Sequence, residues 1–183
     1  MPEELIIRHC SPTLAGIKTG NLFSCTFESK EELFGDIRAI NRKLVPKGIR
    51  MIPLRLSKGR ALIYLYRPTK LFNDLASAAA AAILEDLGYS QIGSTACIAQ
   101  LSRRLQASAG FPHEIGLFLG YPPEDVCGFI ENKAACAKCT GCWKVYGDEE
   151  QAQKTFEKYK KCTLIYCSQW AEGKSIERLT VAD

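Results

Sequence analysis

Behind Ser29 the apolar residues Leu33, Ile37, Ile40 and Leu44 recur at helical spacing, the pattern of a helix with one face turned to a core. Ser29-Lys-Glu-Glu32 reads as a capping box that opens this helix, and Pro46 and Gly48 close it. Two runs rich in β-branched and aromatic residues follow, Ile49 to Leu56 and Ala61 to Tyr66, joined by Ser57-Lys58-Gly59-Arg60. Their turn chemistry predicts a β-hairpin. Upstream, Leu5 to Arg8 reads as a short strand, Ser11 and Pro12 as the start of a helix over Thr13 to Lys18, and Leu22 to Phe27 as a strand.

Further along, Pro68 opens a helix to about Leu87 with Gly88 as its cap, and Ser94 caps a helix carrying Ile98, Leu101 and Leu105 on one face. Pro112 and the Pro122-Pro123 pair each predict a short helix. Trp143 to Tyr146 is a strand candidate, Asp148 with Gln151 opens a helix that turns Ala152, Phe156 and Tyr159 inward, and Ser175 to Val181 ends the chain as a strand. Short strands and a hairpin interleaved with about five helices predict an α+β or mixed α/β fold, a single compact domain over residues 1–183.

At 46% hydrophobic and 24% charged, 183 residues suffice for a real core. No apolar run reaches the length of a membrane helix, and the Ala-rich segment 75–84 is too short. The start Met-Pro-Glu-Glu-Leu-Ile-Ile-Arg lacks the pattern of a signal peptide. The expected location is therefore cytoplasmic, where nine cysteines are thiols or metal ligands rather than a disulfide framework. Residues 37–73 hold ten basic side chains and no carboxylate. Arg38, Arg42, Lys43, Lys47, Arg50, Arg55, Arg60 and Arg67 are the candidates for a positive face that binds an anion or an acidic partner. The competing reading is a hairpin with a solvated basic side.

Candidate chemistry concentrates in the Cys-rich segment 127–167. Cys139-x2-Cys142-x19-Cys162-x4-Cys167 approaches the paired-hook spacing of a four-thiolate zinc site, with a second hook wider than usual. Cys136, Cys139 and Cys142, with Cys127 or Cys162 as fourth ligand, would instead suit an iron–sulfur cluster. A redox dithiol, or buried thiols beside an exposed CxxC, are the alternatives. Cys10, read as lying between a strand and a helix N-terminus, is a candidate nucleophile with His9 or His113 as acid/base partner. A packed core cysteine is the competing reading. The His113-Glu114 pair could do acid/base work or simply cap its turn, and helix-dipole preference alone accounts for Glu124 and Asp125.

Three stretches carry a resemblance: His9-Cys-Ser-Pro-Thr-Leu-Ala-Gly-Ile-Lys18, Pro112-His-Glu-Ile-Gly-Leu-Phe-Leu-Gly-Tyr-Pro-Pro-Glu-Asp-Val126, and Trp143-Lys-Val-Tyr-Gly-Asp148. Over nearly its whole length the chain resembles a domain-of-unknown-function family of anaerobic Gram-positive bacteria. That family has no established activity or functional residues to carry over. The resemblance implies proximity to flavodoxin and ferrous-iron uptake genes, hence iron or redox work. The leading expectation is a cysteine-ligated zinc or iron–sulfur protein that docks an acidic electron carrier such as flavodoxin through its basic block. The alternatives are a thiol-dependent enzyme using Cys10 on an anionic substrate, and a zinc-stabilised nucleic-acid binder. The last is disfavoured, because Tyr64 and Tyr66 are the only tyrosines or other stacking rings within the strands of the basic block.

Overall fold

The computed structural model describes residues 2–89, 93–107 and 110–182. In chain order the elements begin with α1 (Glu3–Leu14), β1 (Gly20–Thr26), α2 (Lys30–Leu44), β2 (Arg50–Ser57), β3 (Arg60–Tyr66), α3 (Pro68–Leu75) and α4 (Ala78–Asp86). They continue with α5 (Gly93–Ala107), α6 (Ile115–Phe118), α7 (Pro123–Asn132), β4 (Cys139–Thr140), β5 (Lys144–Val145), α8 (Glu149–Ala171) and α9 (Ile176–Leu179). The fold is α+β, with nine α-helices among the described residues instead of about five. None of these helices is long and apolar enough to cross a membrane. The chain forms two compact units, residues 1–69 with 159–183, and residues 70–158.

The first unit is built on a three-stranded antiparallel sheet of order β1-β3-β2. Alternation sends Phe23 and Cys25 of β1 and Ala61, Ile63 and Leu65 of β3 to one face, where they meet Ile6, Cys10 and Leu14 of α1 and Leu33, Ile37, Ile40 and Leu44 of α2. Burying each of these large aliphatic side chains stabilises the unit by about 1.5–3 kcal/mol. Ser29 caps α2 by accepting from the Glu32 amide. The Asn41 side chain pairs with both backbone groups of Met51 on the edge strand β2, at 2.8 and 2.9 Å. Beyond Met51 the β2 register shifts between Pro53 and Arg55, where proline cannot donate to a ladder.

Several expectations are overturned. Leu5 to Arg8 is not a strand but part of α1, and Ser11 and Pro12 lie inside that helix rather than opening one. The recurrence of Ile6, Cys10 and Leu14 at four-residue intervals wins, helped by Glu3 and Glu4 in the first turn. Pro12 is tolerated there while the Ser11 hydroxyl donates to the Ile7 carbonyl. The helix expected from Pro68 to Leu87 breaks at Ala76 and Ser77, where the Ser77 hydroxyl donates to the Asp74 carbonyl and accepts from the Ala80 amide. Ser94 sits within the first turn of α5 rather than capping it. The terminal strand is the helix α9, with Ser175 capping the Arg178 amide.

Arg67 requires the largest revision. Offered as part of a docking surface, it is fully buried. Its guanidinium donates to the carbonyls of Thr13 at 2.8 Å, Leu14 at 2.9 Å and Val181 at 2.6 Å. It thereby ties the end of α1 to the carboxyl-terminal segment that follows α9. Lys43 is engaged as well, 2.7 Å from Glu3, and Lys47 donates to the Thr180 carbonyl. Arg38, Arg42, Arg50 and Arg60 remain exposed, while Arg55 is half-buried.

Candidate functional site

The second unit contains the cysteine hairpin. Pro123 opens α7 and places Asp125 in its first turn, where the carboxylate is 3% exposed. One Asp125 oxygen accepts from the Tyr146 and Gly147 amides, both at 2.7 Å. The other accepts from the Trp143 indole N–H at 2.7 Å. Charge-assisted bonds of this length are the strong kind, so one side chain clamps the whole return arm of the β4–β5 hairpin. Helix-dipole preference alone does not account for Asp125, and this is a correction.

Close packing completes the clamp. A Cβ on Gly128 would run into the Tyr146 side chain, one on Gly141 into the Phe156 ring, and one on Gly147 into Glu124. Trp143 stacks on Tyr121 with centroids 4.7 Å apart and meets Phe156 edge-on at 4.5 Å. Lys144 and Lys138 donate to the carbonyls of Ala134 and Gly147, each at 2.6 Å. The loop entering the hairpin holds Lys133, Ala134 and Cys136 at positive φ of 47°, 70° and 57°. For residues with a Cβ this costs about 1–2 kcal/mol apiece.

On this frame Cys136 and Cys142 are exposed and Cys139 is half-buried. None of the nine cysteines is joined to another in a disulfide. Burial, then the Glu149 carboxylate to which it is hydrogen-bonded, push the Cys139 thiol above its ordinary range, with a Gln153 hydrogen bond acting the other way. Cys127 on α7 donates to Glu131 at 3.3 Å, and that bond together with burial pushes its thiol up. A redox dithiol wants the opposite, a thiolate favoured by a helix N-terminus or a nearby cation.

The second hook is not a hook. Cys162 and Cys167 both lie inside α8, and residues five apart on a helix project about 140° apart around its axis. Cys167 packs against the core of the first unit, whereas Cys127, Cys136, Cys139 and Cys142 belong to the second. Among the described residues no group of three or more His, Cys, Asp or Glu side chains is gathered into a ligand set.

Cys10 is in mid-α1, fully buried, and burial drives its thiol far up. The helix N-terminus that would have activated it does not exist. Its neighbour His9 faces outward, stacked on Phe23 with centroids 6.1 Å apart. His113 is exposed and edge-on to Phe129 at 4.9 Å. Glu114 beside it is structural: 2% exposed, it accepts from the Tyr89 hydroxyl at 2.9 Å and lies 2.6 Å from Arg104 Nε.

The site is thus a cysteine hairpin clamped by a buried carboxylate, carried on an α+β fold. The chain belongs to the DUF3793 family of proteins of unknown function, which matches residues 6–180. No curated protein and no solved structure gives a significant match.

Proposed function

We propose that this protein takes up a soft metal ion, zinc or ferrous iron, on the thiolates of Cys139 and Cys142, with Cys136 as the third donor, the three being drawn together by the ion and not gathered beforehand. The observation that carries the reading is the division of labour in the hairpin. Asp125 holds its backbone with three short hydrogen bonds, while the cysteines around the turn are left partly or fully at the surface. In a structural zinc site the ion itself supplies folding energy. Here a carboxylate does that work, which leaves the thiols to exchange an ion. Thiolates select soft metals, and the incoming cation replaces the thiol proton that Cys139 shares with Glu149. Glu149 then becomes available as an oxygen donor.

Anaerobic titration with Co²⁺ as a spectroscopic stand-in should show thiolate-to-metal charge transfer saturating at one ion per chain. Cys139→Ser and Cys142→Ser should each weaken binding by more than the roughly 10–100-fold that losing an outer-shell partner costs, and Cys162→Ser should not weaken it. Affinity should rise with pH, because ligation displaces protons. Chelation should lower the thermal transition only by the mass-action contribution of the bound ion and should leave the metal-free chain folded. Absence of the charge-transfer band refutes the proposal, and brown protein containing acid-labile sulfide would replace the single ion with a cluster.

A partner reading rests on the exposed arginines. Arg38 and Arg42 are one helical turn apart on α2, and with Arg50, Lys58 and Arg60 they are the exposed members of the basic block, from which Arg67, Lys43 and Lys47 are withdrawn by their contacts. An acidic electron carrier such as a flavodoxin is a partner of suitable charge. Its binding should weaken steeply as ionic strength rises past the range where the Debye length falls to about 8 Å. Binding that is indifferent to salt, or to Arg38→Glu with Arg42→Glu, would remove this partner.

A further inference from the structure

A cleft of about 290 Å³ opens between the α3–α4 turn and the start of α5, lined on one side by Phe72, Ala76, Ala81 and Leu84. Tyr89, Ser94 and Cys97 line the other side. The volume is at the small end of ordinary ligand pockets, and an apolar wall facing a few polar groups is the usual composition of such a site. The wall is preformed. Tyr89 is 5% exposed and is held by its hydrogen bond to Glu114, by Arg104 over its ring at 5.6 Å, and by Phe118 at 6.1 Å.

The chemistry of the lining narrows the occupant. No charged side chain is among the described lining residues. The Tyr89 proton is committed to Glu114, and burial holds Cys97 as a neutral thiol. Ala76 and Ala81 bring only methyl groups to the lining, and Phe72, 56% exposed, offers a ring for stacking. A charged ligand would meet no counter-charge among the described lining residues, and its desolvation there would cost free energy. The geometry points to a binding site, separate from the cysteine hairpin, for an uncharged flat aromatic molecule carrying one polar substituent. Its ring lies against Ala76 and Ala81, and its polar group meets Ser94.

The test uses 2-naphthol with the full chain, read by saturation-transfer NMR and isothermal titration. One saturable site is expected. Ala81→Leu and Ala76→Leu fill the cleft, and each should weaken binding about tenfold or more while leaving the thermal transition in place. Naphthalene-2-sulfonate, the same ring bearing a charge, should bind about tenfold more weakly than the naphthol. The two leucine variants sit on different segments, so if one misfolds the other still reports. No saturable binding by the unmodified chain overturns the proposal. So does undiminished binding by a folded leucine variant, or equal affinity for the sulfonate.

Discussion

Asp125→Ala should release the cysteine hairpin while leaving the first unit folded. The substitution strands the Tyr146 and Gly147 amides and the Trp143 indole N–H together. Hydrogen bonds to a charged acceptor contribute about 1.5–3 kcal/mol each. Because the three share one side chain they are not additive, and a loss of roughly 3–5 kcal/mol from the second unit is expected. Asp125→Asn should be milder. Its carbonyl can still accept from both amides, but its NH₂ would face the indole donor, a donor-to-donor clash. Hydrogen exchange at Tyr146 and Gly147 reads the effect directly, with faster exchange in the order Ala, Asn, wild type. Alkylation of Cys139 should accelerate in parallel. Unchanged exchange in Asp125→Ala would show that the glycine contacts and Trp143 hold the hairpin without the carboxylate, and the reasoning that frees the thiols for metal exchange would fail with it.

Arg67→Met should unfold the first unit at much lower temperature. Methionine fills part of the volume and leaves the Thr13, Leu14 and Val181 carbonyls without the guanidinium they share. Hydrogen bonds from a charged donor contribute about 1.5–3 kcal/mol each, and because the three share one side chain a loss of roughly 3–5 kcal/mol is expected. Lys47 still holds the Thr180 carbonyl and the Val181 amide still donates to the Leu14 carbonyl at 3.0 Å, so the segment after α9 would be loosened rather than released. Arg67→Lys should recover little, since a single ammonium cannot span three carbonyls as the planar fork does. Denaturant unfolding followed by circular dichroism measures this. A shift no larger than that of Arg42→Ala, on the exposed face of α2, would contradict the role assigned to Arg67.

The hydrophobic pattern reads correctly where it is long and has a single period. Leu33, Ile37, Ile40 and Leu44 sit on the buried face of α2, and the runs at 50–57 and 60–66 pair as an antiparallel hairpin. It misleads where a local signal competes with a longer one. Ser11-Pro12 has the chemistry of a helix start, yet the apolar spacing from Ile6 to Leu14 carries α1 through it. Ser175 to Val181 has a strand's composition, but the Ser175 cap and the burial of Ile176 and Leu179 make it a helical turn. Cys162 and Cys167 resemble a hook only until the length of α8 is known.

Sequence alone determined the α+β class, the α2 helix, the central hairpin and the concentration of cysteines around 136–142, because each follows from spacing and residue type over a few turns of chain. Tertiary structure alone decided that Arg67 is an interior clamp and not a surface charge, that Asp125 holds the cysteine hairpin, and that Cys10 is core. The reason is physical. Charge and thiol chemistry depend on what surrounds a group, and those surroundings come from residues far away in the chain: Thr13, Leu14 and Val181 for Arg67, and Trp143, Tyr146 and Gly147 for Asp125.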